Sequence, residues 1–69
     1  MNSLQDRLLA AHARGDRKAL VDLYTEAADI TDHLDTACFY MTHAYIFALE
    51  LGDPAADALY HRLKAHGRV

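Results

Sequence analysis

Five histidines and one cysteine are the residues in this chain best equipped for chemistry. Imidazole and thiolate groups are zinc ligands, and a histidine beside a carboxylate makes an acid–base pair. On a helix, two such groups share a face only at a spacing of three or four. His33 and His43 each stand five residues from Cys38, and His61 stands five from His66. Asp29 and His33 are four apart, but a helix break is expected between them. No pair has a zinc-ligand spacing, so neither a metal nor another cofactor is expected; a small regulatory or metal-binding protein built on the histidines is the second reading. His43 and Glu50 are seven apart, which places them two turns apart on one polar stripe, as solvated neighbours rather than an acid–base pair. With no nucleophile elbow, phosphate loop or paired carboxylates, the chain does not read as an enzyme.

The element that must position these groups is the stretch from Ala37 to Leu51, ACFYMTHAYIFALEL, the most apolar run in the chain. It contains no Lys, Arg, Gly or Pro. Wound at about 3.6 residues per turn, it places Leu34, Ala37, Met41, Ala44, Tyr45, Ala48 and Leu51 on one broad face, bordered by Cys38, Tyr40 and Leu49. Such a helix must be enclosed by others. Cys38 therefore reads as a buried, inert thiol.

The flanking sequence supplies the enclosing helices. Ser3 with Asp6 three residues later is a weak capping box, and Leu4, Leu8 and Ala11 then share a face. His12 falls between Leu8 and Leu9 on that helix, either partly buried or at a helix end. Gly15 is a stop and Asp16 the next N-cap. From about Arg17 to Ile30, the residues Ala19, Leu20, Leu23, Tyr24, Ala27 and Ile30 form an apolar stripe. Thr31, Asp32, Asp35 and Thr36 favour caps and turns over helix interiors, which predicts a break near Thr31, the alternative being one long bent helix from Asp16 to Leu51. Gly52 ends the central helix, and Asp53-Pro54 opens the last one. Ala55, Ala56, Leu59 and Leu63 form its apolar face, and Gly67 ends it. The expected fold is all-α: one domain over 1–69, with four antiparallel helices in two hairpins of roughly 3–30 and 32–67.

Sixty-nine residues bury only about 60% of the unfolded surface, and the core supplies a few kcal/mol of net stability. The apolar content of 52% permits a core without staples, and the lone cysteine excludes an internal disulfide. No apolar run reaches the about 20 residues that span a bilayer, and the N-terminus lacks a signal peptide's basic segment and apolar core; a cytoplasmic location is expected. The net charge of −3 hides a segregation. From Ala19 to His61 there are eight acidic residues and no Lys or Arg, whereas the flanks hold all seven basic residues with only Asp6 and Asp16. In an up-down-up-down arrangement Arg14, Arg17 and Lys18 meet Glu50, Asp53 and Asp57. At the other end Arg62, Lys64 and Arg68 meet Asp29, Asp32 and Asp35. No basic stripe is then left for a nucleic acid.

Ala-Arg-Gly-Asp at 13–16 and Glu-Leu-Gly-Asp at 50–53 repeat the same punctuation 37 residues apart, as helix–turn–helix repeats do. With these turns the chain resembles the tetratricopeptide repeat family in degenerate form. Ala10, Gly15, Asp16, Tyr24, Ala27 and Ile30 match that family's small, turn, aromatic, small and apolar positions. Ala44, Phe47, Gly52, Asp53 and Leu63 match again after a shift of about one residue. Leu8 stands at the usual small position, no Trp opens either unit, and Asp32 replaces the inter-repeat proline. The resemblance implies two stacked hairpins that bind a peptide or protein.

Phe39 and Ile46, seven apart, interrupt the polar stripe of the central helix. Either another helix covers them, or they form an exposed pair rimmed by polar groups, the composition of an interface core. On the second alternative the partner-binding face is Phe39, Thr42, His43, Ile46 and Glu50. Its occupant is a protein or peptide, or a second copy in a two-fold contact along the central helix.

Overall fold

A computed structural model describes residues 3–69 and contains four helices: α1 (Leu4–Arg14), α2 (Arg17–Ile30), α3 (Leu34–Leu51) and α4 (Ala55–Ala65). No strand occurs among the described residues. Each helix packs against the next in sequence: α1 on α2, α2 on α3 and α3 on α4. The Cα atoms fill a slab of 34 × 29 × 12 Å. Its accessible surface of 4497 Å² is close to the roughly 4300 Å² expected of a monomer of this mass, so the fold closes on itself.

The helix ends follow from the residues that cap them. Ser3 Oγ accepts the backbone N–H of Asp6, and Asp16 Oδ1 accepts that of Ala19, satisfying donors that the first turn leaves unpaired. Gly15 (φ 66°, ψ 31°) and Gly52 (φ 66°, ψ 30°) end α1 and α3 in the same left-handed conformation. After each, the aspartate N–H reaches back to an alanine carbonyl: Asp16 to Ala11 at 3.0 Å and Asp53 to Ala48 at 2.9 Å. Both alanines are completely buried. Asp53 Oδ1 accepts the N–H of Ala55, and Pro54 already has helical φ and ψ, so the chain turns directly into α4. Between α2 and α3, Thr31 Oγ1 accepts the N–H of His33, closing a short polar turn where the break is expected.

The core lies where α3 meets α2 and α4. Val21 and Ala28 of α2, Cys38, Met41, Ala44 and Ala48 of α3, and Leu59 and Leu63 of α4 form one buried cluster. Tyr45, Phe47, Tyr24 and Tyr40 pack around it. Three residues of the expected stripes lie outside: Ile30, Leu34 and Leu51 are exposed. They stand at the ends of α2 and α3. At about 1.5 Å per residue, α3 is roughly 27 Å long and α4 roughly 16 Å, so the tips of α3 overhang their neighbours.

The segregated charges meet across the fold in part: Arg14 turns instead to its neighbour Asp16, at 3.4 Å. Arg17 pairs with Glu50 at 2.9 Å, Lys18 with Asp53 at 3.3 Å, Arg62 with Asp29 at 2.6 Å, and Arg68 with Asp35. Arg7 adds a pair with Glu26 at 2.7 Å. All involve exposed basic side chains, so they select the antiparallel register more than they stabilise it.

Candidate functional site

The outer face of α3 carries all five residues of the expected partner-binding set. Phe39, Thr42, Ile46 and Glu50 are exposed and His43 is half-buried. Neither α1 nor α4 covers Phe39 or Ile46, which are 59% and 49% exposed. Fully burying a phenyl or sec-butyl side chain is worth about 1.5–3 kcal/mol, and with each of these roughly half exposed about half of that is left unrealised in the monomer.

Beside this face α1 and α3 diverge over α2 and leave a groove of about 650 Å³. Leu4, Gln5, Leu8, Leu9 and His12 of α1 form one wall, Tyr24 and Ala27 of α2 the floor, and Phe39, Tyr40 and His43 of α3 the other wall. Leu9, 61% exposed, and Phe39 are the two apolar rims. No Asp, Glu, Lys or Arg lines it. A second recess, lined by Leu4, Ala27, Ile30, Thr31, Thr36 and Tyr40, prolongs it towards the α2–α3 turn.

Aromatic rings stiffen this groove. Tyr24 stacks on His43, with centroids 5.0 Å apart, and on Phe47 at 6.0 Å. Its hydroxyl shares a 2.8 Å hydrogen bond with His12 Nε2. Burial pushes the Tyr24 phenol above its ordinary range, and neighbouring Tyr40 pushes the same way. His43 Nδ1 lies 2.9 Å from the carbonyl oxygen of Phe39. A carbonyl only accepts, so Nδ1 carries the hydrogen, and in the neutral ring Nε2 is left as an acceptor. One side chain from α2 thereby joins α1 to α3, and the His43 ring also contacts Phe39 at 4.5 Å.

The structure separates His43 from Glu50 as a chemical pair, since His43 is bound to Phe39 and Glu50 to Arg17. Among the described residues no three His, Cys, Asp or Glu side chains gather as metal ligands. Cys38 is buried and free. The α1 wall and the His12–Tyr24–His43 arrangement were missed by sequence reasoning. The available signal was the position of His12 between Leu8 and Leu9, on the face that α1 turns towards the groove.

Electrostatics at the turns is local. Hydrogen bonding from Ala19 holds the Asp16 carboxyl below its usual range, with Arg14 assisting; hydrogen bonding from Ala55 does the same for Asp53, with Lys18 assisting. No helix among the described residues is long and apolar enough to cross a membrane. Compared with known proteins, the chain matches no family model, no curated protein and no solved structure.

Proposed function

We propose that the protein is a small interaction module of tetratricopeptide-like type that binds a protein or peptide segment in the α1–α3 groove and on the adjoining face of α3. It carries out no reaction of its own and works in the cytoplasm. The observation that carries this reading is the groove itself: uncharged, apolar at both rims, and exposed along its length. Helix-in-groove recognition uses such a channel, with apolar anchors of the partner spaced at three, four and seven residues. Phe39, Leu9 and Leu8 would contact those anchors, and His43 Nε2 would accept a hydrogen bond from a donor on the partner. Ile46, Thr42 and Glu50 extend the contact beyond the groove, with Glu50 and its partner Arg17 as polar rim. The tetratricopeptide-like part of this reading rests on the sequence resemblance carried by the repeated Gly-Asp turns at 15–16 and 52–53.

The test is selection of helical peptides on the immobilised protein, followed by titration against variants. Peptides that occupy the groove should lose at least tenfold in affinity on Leu9→Ser and on Phe39→Ser, with helical content unchanged by circular dichroism. Selected peptides indifferent to both changes would remove the groove from the account.

A further inference from the structure

We infer that a second copy of this chain docks antiparallel on the outer face of α3, with Ile46 of each copy seated in a hole on the other. The hole is a recess of about 320 Å³ lined by Asp35, Cys38, Phe39, Thr42 and Arg68. Four of these residues stand at i, i+3, i+4 and i+7 on one helix, the diamond that receives a single knob in knobs-into-holes packing. Its floor is the buried Cys38, and Arg68 closes one side.

The occupant follows from symmetry and charge. The outer face reads alike in both directions about a point between Thr42 and His43. Phe39 lies as far before that point as Ile46 lies after it, and Asp35 as far before as Glu50 after. An antiparallel two-fold therefore sets Ile46 of one copy over Phe39 and its hole in the other, and generates the same contact again. The acidic residues also match. Asp35 carries Arg68 on the α4 side of the ridge, and Glu50 carries Arg17 on the α2 side. The two-fold brings these ends together, so each carboxylate pair lies between two guanidinium groups and each end is neutral. A parallel pair would instead put Asp35 beside Asp35 and leave the apolar residues out of their holes.

Phe39 and Ile46 are separated by about 10.5 Å along the helix, so the contact falls at the small end of specific interfaces. The dimer is accordingly weak, forming at high micromolar concentration from a monomer that is already closed. The dimer shares Phe39, Ile46, Thr42 and Glu50 with the peptide contact proposed above, and the two are told apart at Leu9 and Leu8, which take no part in the dimer.

Sedimentation equilibrium and directed cross-linking test it together. The weight-average mass should rise from 7.7 kDa towards twice that value between micromolar and millimolar protein. Residue 42 lies within about 1 Å of the axis along the helix, whereas two copies of residue 50 are about 22 Å apart. Thr42→Cys should then give a covalent dimer on mild oxidation at least tenfold faster than Glu50→Cys. Adding Ile46→Ser to Thr42→Cys should abolish the difference. Leu9→Ser should leave dimerisation unchanged while weakening groove peptides. A chain that stays monomeric to millimolar concentration, or that cross-links equally through positions 42 and 50, overturns the inference.

Discussion

Helices α1 and α4 are built alike and docked differently. Each has 11 residues, each is followed by a left-handed glycine turn, and each is tied to α2 by an arginine–carboxylate pair. Yet α4 buries Leu59 and Leu63 at 3% and 1% exposure, whereas α1 buries only Ala11. The reason is position. α4 packs on α3, and its leucines join the buried cluster that also holds Val21 and Ala28 of α2, whereas no α1 residue belongs to that cluster. α1 packs on α2 and touches α3 only through rings such as His12 and Phe47, at 6.1 Å. The same backbone punctuation thus closes one side of the molecule and leaves the other open, and the open side is the one we propose for a partner.

The sharpest way to break this comparison is truncation on each side. Leu63→Ala should cost about 2–5 kcal/mol by denaturant titration, the range for a fully buried leucine, and in so small a chain that approaches the whole stability. Leu8→Ala, at a half-exposed position, should cost about 1 kcal/mol or less. Equal losses would mean that α1 is as firmly docked as α4.

A smaller effect tests the similarity of the turns. Nothing lies within 4 Å of a Cβ built at Gly15 or Gly52, so only the positive φ penalises substitution. Gly15→Val and Gly52→Val should each lower stability by at least about 1 kcal/mol, and by similar amounts. An unchanged midpoint at either site would separate two turns that now look equivalent.

The smallest expected effect is on pH. Asp16 and Asp53 are held below the ordinary carboxylate range, so the folded state binds their protons more weakly than the unfolded chain. Their contribution is complete above the unfolded value, near 4, and is lost as pH falls through the folded value. Denaturation midpoints should fall progressively below pH 4, less steeply in Asp16→Asn and Asp53→Asn, where asparagine keeps the cap without a titrating proton. The two variants should respond alike, as the matched turns require.

Much of this architecture is legible in the sequence because it is local. Gly-Asp at 15–16, Gly-Asp-Pro at 52–54 and the polar run at 31–36 mark turns by backbone preference alone, and the structure places helix ends there. The charge pairing follows once four antiparallel helices are assumed. Burial is less legible, because an apolar stripe shows which side faces inward but not how far the neighbours extend. Leu34 and Leu51 lie on the stripe of α3 and still reach solvent at its tips. Of the candidate site, the α3 half can be read from Phe39 and Ile46 breaking a polar stripe. The α1 half cannot, because the stack of His43 on Tyr24 and the hydrogen bond from Tyr24 to His12 depend on the angle between helices.

Cys38 gives this packing a chemical clock. It is the chain's one thiol, 2% exposed, and it sits in the cluster formed with Leu59 and Leu63. It also floors the recess between Asp35 and Thr42, so a reagent reaches it when that recess or the packing beneath it opens, and its alkylation rate counts those openings. Fraying of the loosely held α1 leaves that rate untouched, because α1 contributes nothing to the cluster around the sulfur. One native atom thus reports on the closed half of the molecule and is blind to the open half.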